Sequence, residues 1–378
     1  PRLLVHRFTP TTGCGGLPFP RDTAVPSLQS LIGSIPARPD AAALLAGFVP
    51  PPRFARKRFG DYRPDPRHPS QGAAVARLRE IADDLHASVR SSWRRRLREA
   101  MGQQERGSGV YLDGGFGVGK THLLAALWNA APGPKAYLSF DELVYTIGLL
   151  GVEATREAFH GLTLVAVDEW ELDDPGNLKL AIAFLRGALE DGVRMATTSN
   201  TIPDELGRGR FDQKSFTLEI AELARAFETL GIQGEDFRHR RFDPGSAAGF
   251  LAPAELDAAT AAAGDGVLRV AFADLLAALG QVHPIRYAAI VDRVAAVHVH
   301  DLGPLPVLYD ALRWVHFIDK LYDADVPFAA TSAIALGDLF PPDHLRGGYA
   351  KKFSRCLSRM GEMLAEHRTP LAAPADPA

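Results

Sequence analysis

The chain has 378 residues, of which 46% are hydrophobic and 23% are charged, so it is long enough to form two or three domains with buried cores. Its 42 Lys and Arg and 45 Asp and Glu give a net charge of −3, which excludes an overall positive field that would attract nucleic acid or an anionic membrane. Two cysteines exclude a disulfide framework, and no apolar run reaches the roughly 18 residues of a membrane span. The first residues lack an apolar signal core, so we expect no secretion signal and a reduced, cytoplasmic, soluble protein.

Thirteen of the 28 prolines fall within residues 1–69, which predicts a Pro-rich extended lead-in without long regular elements. A helix is predicted from Ser70, because apolar residues recur at three- and four-residue steps from Val75 to Val89. The helix leads into the basic run Arg94–Arg98. We expect this run to be a solvated helix end, and the alternative is a contact with nucleic-acid phosphates.

From about residue 107, short apolar strands alternate with longer helices, which is typical of a mostly parallel sheet flanked by helices. An α/β core is therefore expected over residues 70–245. After it we expect a C-terminal α-rich lid or mixed α/β domain over 246–366 and a flexible tail over 367–378. Strands are predicted at 110–112, 136–140, 162–167, 193–199 and, more weakly, 228–232, with helices beginning near 120, 141 and 177.

One internal repeat is visible, because the segment Val193–Leu206 is similar to Val326–Leu339. Upstream of the second copy, Ala295–Asp301 is similar to Leu164–Asp168. The second half contains neither a Gly-rich loop nor an acidic pair. The repeat is therefore either a strand–helix–strand unit without chemistry or a chance similarity.

A complete G-x-x-x-x-G-K-T pattern (P-loop) spans Gly114 to Thr121, directly after an apolar strand and directly before a predicted helix. Glycines let successive backbone N–H groups turn toward bound phosphates, and the helix N-terminus adds its dipole. Lys120 is expected to contact the β- and γ-phosphates of ATP, and Thr121 is expected to bind Mg²⁺ through its hydroxyl. The predicted nucleotide-binding residues of this segment are Gly114, Gly115, Phe116, Gly117, Val118, Gly119, Lys120, Thr121 and His122.

An acidic pair, Asp168 and Glu169, follows the strand 162–167 at the end where parallel sheets bind ligands. Asp168 fits a Mg²⁺ carboxylate that acts through water, and Glu169 fits a base that polarises water for attack on the γ-phosphate. Because water is then the acceptor, the predicted reaction is hydrolysis. The next strand ends at Asn200, whose amide fits a group that orients the attacking water, although Asn at a strand end is also an ordinary turn residue.

Two arginines, Arg208 and Arg210, lie in a short basic loop after Asn200. An arginine at this place can reach the γ-phosphate of a neighbouring subunit. The alternative is a solvated loop without a catalytic role.

In this order, these residues resemble the AAA+ ATPases, and further segments are similar to the ZapE family of bacterial cell-division ATPases, which has mitochondrial AFG-type relatives. The similarity extends over nearly the whole chain. The P-loop is specific only for the NTPase superfamily, whereas the last three segments together are distinctive of ZapE-like proteins. The segments are Tyr62–Pro66 before Ser70 and Gln71, the P-loop, Asp168–Trp170, Ala196–Asn200, Glu235–Arg240, Phe317–Tyr322, Thr331–Ala333 and Phe353–Met360.

The resemblance implies a role for each matching residue. Asp168 and Glu169 match the second acidic motif of the family, and Asn200 matches sensor 1. Arg210 best matches the arginine finger that completes the site of a neighbouring subunit, and Arg208 is the alternate finger.

The resemblance also implies roles for three residues outside the strand-end motifs. Arg355 and Arg359, in the terminal helix motif, match a lid-side sensor of the γ-phosphate, and Tyr62 lies where AAA+ proteins often enclose adenine. Two departures stand out, since the family pattern has Phe where this chain has Trp170 and a longer insert than residues 140–161 allow. The segment that follows, residues 172–176, resembles an actinobacterial branch of the family. We do not expect a substrate-threading pore loop from the short insert.

The resemblance implies an AAA+ ATP hydrolase that forms a ring or transient homo-oligomer, such as a hexamer, and remodels a partner protein. The implied partner is the FtsZ polymer at the division site, with peripheral association at the inner membrane, and nucleic acid is not an expected partner. The first alternative is a nucleic-acid-linked ATPase such as a helicase loader. The second is a nucleotide-gated adaptor that scarcely turns ATP over.

Overall fold

The computed structural model describes residues 27–35, 45–90, 108–115, 117–170, 175–200, 225–234 and 249–368. These residues belong to two compact units. The first unit contains the described residues from 45 to 234, and the second contains 27–35 and 249–368. Each unit has a parallel sheet of its own.

The helices and strands are numbered in chain order within the described residues. The α-helices are α1 (Leu28–Gly33), α2 (Pro69–Arg90), α3 (Lys120–Ala130), α4 (Phe140–Leu150), α5 (Val152–Phe159), α6 (Pro175–Glu190), α7 (Pro253–Ala263), α8 (Phe272–Leu279), α9 (Ala288–Val291), α10 (Leu308–Asp323) and α11 (Ala350–Arg368). The strands are β1 (Gly109–Gly114), β2 (Lys135–Ser139), β3 (Leu164–Asp168), β4 (Arg194–Ser199), β5 (Phe227–Ile232), β6 (Val267–Ala271), β7 (Ala296–Leu302) and β8 (Phe328–Ser332). Short 3₁₀ helices lie at Phe59–Asp61, Pro284–Tyr287 and Leu336–Asp338.

The sheet of the first unit has five parallel strands in the order β2-β3-β4-β1-β5. In β1, Val110 lies opposite Ala196 on one side and Glu228 on the other. Because all neighbouring strands are parallel, they end at the same edge of the sheet. That edge carries Gly114 at the end of β1 and Asp168 at the end of β3.

Helices cover both faces of this sheet, as the alternation of side chains along β1 requires. Val110 and Leu112 pack on one face in a cluster with Leu78 of α2 and Leu124 of α3. Tyr111 faces the opposite side. The cluster on that side includes the buried aromatic residues Phe140, Phe159, Trp170 and Phe184.

The predicted α/β core with a parallel sheet is confirmed. Each of the five predicted strands lies within two residues of an observed strand at both ends, and α3, α4 and α6 begin within two residues of their predicted starts. The helix predicted from Ser70 is α2, which begins at Pro69. Apolar runs bounded by turn residues were therefore sufficient to locate the elements that carry the site.

The Pro-rich lead-in is not extended throughout, which corrects the sequence expectation. Residues 27–35 contain no proline, and the helix α1 forms there with the Ser27 hydroxyl accepting a hydrogen bond from Ser30 N at 3.1 Å. Leu31 of α1 is buried, and α1 packs against α8 in the second unit. A local proline-free stretch with an N-cap is thus enough to start a short helix.

Another part of the lead-in lies against the first sheet. The carbonyl of Phe48 accepts a hydrogen bond of 2.8 Å from the backbone N–H of Tyr137 in β2, the strand at one end of the sheet order. The Phe48 ring stacks on Phe159 with a centroid distance of 5.9 Å. This segment therefore packs as part of the first unit.

The second unit contains a three-stranded parallel sheet in the order β6-β7-β8. It is therefore a mixed α/β unit, and its strand β7, helix α10 and strand β8 form the strand–helix–strand arrangement that the sequence repeat suggested. Trp314 and Phe317 of α10 are fully buried, and the Trp314 ring meets Phe328 of β8 edge-on with a centroid distance of 6.2 Å. The exact domain boundaries near 245 and 366 stay a prediction. None of the described helices combines the length and apolarity needed to cross a bilayer.

Candidate nucleotide site

The Gly-rich loop joins β1 to α3, as the sequence predicts. Gly119 is the N-cap of α3 and has a φ of 89°, in the left-handed region that favours glycine. A Cβ at this position would lie 2.6 Å from a ring carbon of Tyr62, so no larger side chain fits. Because α3 begins at Lys120, its first N–H groups have no partner within the helix and form a site suited to phosphate oxygens.

Lys120 is only 9% exposed, and its ammonium group lies inside the loop. It donates hydrogen bonds of 2.6 Å to the carbonyl oxygens of Gly114 and Gly115 and one of 2.8 Å to Oδ1 of Asn200. The P-loop lysine and the amide at the end of β4 are therefore in direct contact. This is the convergence that the order of the motifs predicted.

Asp168 lies at the buried end of β3, and hydroxyl groups from three other elements surround its carboxylate. Oδ2 accepts a 2.9 Å hydrogen bond from the Tyr137 hydroxyl in β2. Oδ1 accepts a hydrogen bond from the Thr198 hydroxyl in β4, and the Thr121 hydroxyl of α3 lies 3.4 Å away. Thr121 and Asp168, the two predicted magnesium residues, are thus neighbours.

Glu169 turns the chain directly after β3. Its φ is 54°, in the left-handed region that non-glycine residues seldom adopt. Its N–H donates to the Thr198 hydroxyl at 2.9 Å, and its side chain is partly exposed. The following Trp170 is fully buried, and its ring packs against Phe140 with a centroid distance of 4.9 Å. The buried tryptophan therefore fixes the chain beyond a partly exposed glutamate.

Tyr62 and His122 lie together beside the loop. The Tyr62 hydroxyl donates a 2.7 Å hydrogen bond to the carbonyl of Val118, and its ring meets the imidazole edge-on with a centroid distance of 5.6 Å. His122 Nε2 donates to the carbonyl of Arg58 at 3.1 Å, since a carbonyl can only accept. Burial raises the pKa of Tyr62 to about 12 and lowers the pKa of His122 below its ordinary value of 6.5. Two uncharged aromatic rings therefore border the P-loop.

Arg355 and Arg359 of α11 lie in the second unit and are 6% and 5% exposed. Their guanidinium groups bind the two carboxylate oxygens of Asp319 at 2.9 and 2.6 Å, and Arg359 also lies over the ring of Tyr322 at 4.9 Å. Burial alone would raise the pKa of Asp319, but the two arginines hold it well below its usual range. Their role as nucleotide sensors stays a prediction.

Three predicted site residues, Phe116, Arg208 and Arg210, lie outside the described residues, as do the basic run 94–98 and the family-like segment 235–240. Their assigned roles stay predictions.

Two residues that contact the acidic pair, Tyr137 and Thr198, are not predicted from the sequence. Tyr137 lies on β2 and Thr198 lies on β4. Both strands are neighbours of β3, which ends at Asp168, because Ser139 pairs with Asp168 and Thr197 pairs with Val167. Thr198 lies two positions before Asn200, and this spacing is the signal in the sequence that points to it.

A protein-family model and two known relatives match this chain over most of its length. Residues 55–261 and 251–369 match the model of the AFG1-like ATPases. The cell division protein ZapE of Escherichia coli strain K12 is 24% identical over 360 residues, which cover 81% of this chain and 93% of that protein. The ZapE protein of Escherichia coli O157:H7 matches with the same identity and coverage.

Similarity to solved structures is weaker. A crystal structure of DnaI is 18% identical with a TM-score of 0.35 and covers 49% of this chain and 93% of that one. The AMPPCP-bound DnaA of Aquifex aeolicus is 14% identical with a TM-score of 0.36 and covers 48% of this chain and 52% of that one. The assignment to an actinobacterial branch stays a prediction. With its P-loop, acidic pair and strand-end asparagine in contact, and with the family model matching most of its length, this chain belongs to the AFG1-like ATPase family.

Proposed function

We propose that this chain is an AAA+ ATP hydrolase that couples ATP binding and hydrolysis to the remodelling of a partner protein. The observation that carries the proposal is the convergence of Lys120, Asn200, Thr121 and Asp168 at one edge of the sheet, with Glu169 next in the chain. These groups come from β3, β4 and α3, and their types are those that phosphate-anhydride hydrolysis requires.

Lys120 supplies the positive charge for phosphate binding. Its ammonium is buried among carbonyl and amide oxygens, where a charge interacts more strongly than it does in water. In the proposed complex it binds oxygens of the β- and γ-phosphates, and the N–H groups at the start of α3 bind the remaining oxygens. Tyr62 and His122, which are aromatic and uncharged, are placed to border the adenine.

The donor set of Thr121 and Asp168 fits magnesium, which prefers hard oxygen ligands and keeps several waters. A hydroxyl and a carboxylate 3.4 Å apart would hold the ion on the protein side, and Asp168 would act through a bound water. When bound, the ion would neutralise charge that develops on the phosphate oxygens. Tyr137 and Thr198 fix the carboxylate from behind, as groups outside the metal ligands commonly do.

Glu169 is the proposed base. It accepts a proton from water as the water oxygen forms a bond to the γ-phosphorus and the bond from that phosphorus to the β-phosphate oxygen breaks. The products are ADP and inorganic phosphate. Asn200, already beside Lys120, orients the water through its amide. Arg210 of a neighbouring subunit, with Arg208 as the alternate, completes the site in a homo-oligomeric ring.

The proposed partner is the FtsZ polymer, and the proposed location is the cytoplasm, with peripheral association at the division site. This part is supported by the name of the Escherichia coli relative, a cell division protein. A hexameric ring would place one P-loop at each subunit interface. The proposed hydrolysis at this site does not depend on whether FtsZ is the partner.

The test is phosphate release by the purified chain with ATP and Mg²⁺, compared with Glu169→Gln. The variant should bind ATP and lose about 10²- to 10⁴-fold in rate, because the amide keeps the shape of the side chain without the base. Glu153→Gln is the matched control, since Glu153 is a surface residue of α5 with its side chain 85% exposed, and it should keep the parent rate. A Glu169→Gln variant as active as the parent contradicts the assignment.

The partner is tested separately, by light scattering of FtsZ polymers with the parent chain or Glu169→Gln in the presence of ATP. The parent should change the scattering over time and the variant should not. Equal traces for both proteins and for buffer would remove FtsZ as the partner while leaving hydrolysis intact.

A further inference from the structure

We infer that Thr198 is a positioning residue for the acidic pair, which holds Asp168 and the backbone of Glu169 in the geometry used for hydrolysis. This inference rests on the proposed function, because it assigns the base role to Glu169. It goes beyond that function because it assigns a role to Thr198 of β4, which acts through Asp168 and Glu169.

Three contacts join Thr198 to consecutive residues of the neighbouring chain segment. Its hydroxyl donates to Oδ1 of Asp168 and accepts the N–H of Glu169 at 2.9 Å. Its carbonyl accepts the N–H of Trp170 at 2.7 Å. The regular pairing of β3 with β4 ends at Val167 and Thr197. Thr198 thus continues the attachment of the two segments beyond the end of the ladder.

The conformation of Glu169 explains why such an attachment is needed. A non-glycine residue at a φ of 54° is disfavoured by its own Cβ and persists only where neighbouring groups hold it. Its N–H donates to the Thr198 hydroxyl at 2.9 Å and to Oδ1 of Asp168 at 3.1 Å, and the first of these bonds crosses to β4. Without the hydroxyl, the direction in which the Glu169 carboxylate leaves the backbone is less well defined. Small displacements of a catalytic group cost much of its rate.

The second unit contains the same attachment without the acidic pair. Asp301 follows His300 near the end of β7, has a φ of 59°, and donates its N–H to the Thr331 hydroxyl of β8 at 3.0 Å. His300 occupies the place that Asp168 has before Glu169. In both units, therefore, a residue with a left-handed backbone donates its N–H to a threonine hydroxyl of the neighbouring strand. Thr331 offers a control with the same local geometry.

The test compares Thr198→Val, which keeps the branched shape and removes the hydroxyl, with Thr198→Ser, which keeps the hydroxyl. Thr198→Val should lower kcat by about 10- to 100-fold and leave KM for ATP within about threefold, and Thr198→Ser should restore most of the rate. Thr197→Val and Thr331→Val should keep the parent kcat. Thr197 is equally buried on the same strand, and its hydroxyl has no hydrogen-bond partner among the described residues.

A double-mutant cycle separates positioning from a general loss of structure. In a Glu169→Gln background, measured at saturating Mg²⁺ by single turnover of labelled ATP, adding Thr198→Val should lower the rate by less than about threefold, because the base that Thr198 positions is already gone and saturating Mg²⁺ offsets a looser Asp168. A Thr198→Val variant that does not fold is replaced by Thr198→Ala, with the same expectations.

Several outcomes would overturn the inference. Parent-level kcat in Thr198→Val, an equal loss in Thr197→Val or Thr331→Val, or a full loss in the Glu169→Gln background each shows that Thr198 does not act through Glu169. A parent chain without ATP turnover overturns the proposed function and this inference together, whereas an active parent with an active Thr198→Val overturns only the inference.

Discussion

The ammonium of Lys120 lies 2.8 Å from the amide oxygen of Asn200, although 80 residues separate them in the chain. The contact follows from the sheet order, because β1 and β4 are parallel neighbours and Asp113 pairs with Ser199 at their ends. The loop after β1 therefore brings Lys120, at the start of α3, beside the end of β4. The proposed phosphate-binding group and the proposed water-orienting group are thus brought together by the order of the strands.

Lys120→Ala should weaken ATP binding by at least about 100-fold while the fold is retained, because it removes the charged group of a site whose other donors are neutral N–H groups. Binding is measured with a fluorescent ATP analogue, and folding by thermal melting. The exposed Lys179 of α6 provides the control Lys179→Ala, which should bind as the parent does. Unchanged affinity in Lys120→Ala would show that the loop is not a phosphate site.

Tyr137→Phe should raise the Mg²⁺ concentration needed for half-maximal ATPase rate by about 10-fold, because it removes the hydroxyl that fixes Oδ2 of Asp168. The rate at saturating Mg²⁺ should stay within about threefold of the parent. Tyr287→Phe loses a comparable buried hydrogen bond, to the carbonyl of Leu279 in the second unit, and should leave the Mg²⁺ titration unchanged. Identical titrations for Tyr137→Phe and the parent would separate Tyr137 from metal binding.

Arg210→Ala should bind ATP normally and lose about 10³-fold or more in turnover, because an arginine finger acts on charge in the transition state. Mixing it with Lys120→Ala should restore part of the activity, since an interface between the two variants can combine an intact phosphate site with an intact finger. The measurement is phosphate release as a function of the mixing ratio. If subunit exchange is shown independently and the mixture stays inactive, Arg208 becomes the next candidate.

His122 predicts a particular dependence of stability on pH. Burial lowers the pKa of His122 in the folded chain below 6.5, so the unfolded chain takes up its proton first as the pH falls. The contribution of His122 to stability is thus present above about pH 6.5 and is lost as the pH falls toward the folded-state pKa. Between pH 8 and pH 5.5, the melting temperature of His122→Gln should therefore fall less than that of the parent. Equal falls would show that the imidazole titrates alike in both states.

Asp319→Asn tests the buried cluster of the second unit. The substitution removes the negative charge that pairs with Arg355 and Arg359 at 2.9 and 2.6 Å, and breaking a buried ion pair typically costs about 3 to 5 kcal/mol of unfolding free energy. Urea unfolding followed by circular dichroism measures the loss. Asp343→Asn removes the surface pair with Arg346 and should have little effect. A stable Asp319→Asn variant with impaired ATPase would instead favour a sensor role for the arginines.

The sequence predicted where the main site residues lie because each motif residue follows an element with a strong apolar signal. Lys120, Asp168 and Asn200 were placed by the strands before them, and the parallel arrangement then required all three to lie at one edge of the sheet. Tyr137 and Thr198 were not predicted, since a tyrosine or threonine within a strand is ordinary for a sheet residue. Their roles depend on strand order and register, which a single sequence does not specify.

The sequence alone does not decide the structure of the second unit. The segment Val326–Leu339 is similar to Val193–Leu206, but similarity of short segments does not distinguish a shared structure from chance. The parallel pairing of Val297 with Phe328 resolves the alternatives. Helix α1 was missed because the proline content of residues 1–69 describes the segment as a whole, whereas the N-cap at Ser27 acts on one turn.

The hydrogen bond from Tyr137 N to the carbonyl of Phe48 also bears on assembly. An uncovered outer strand exposes main-chain groups that can pair with a strand of another molecule and extend the sheet without limit. At Tyr137 this donor is already used by the same chain, and the Phe48 ring is held against Phe159. Pairing with a strand of another molecule is therefore discouraged at Tyr137.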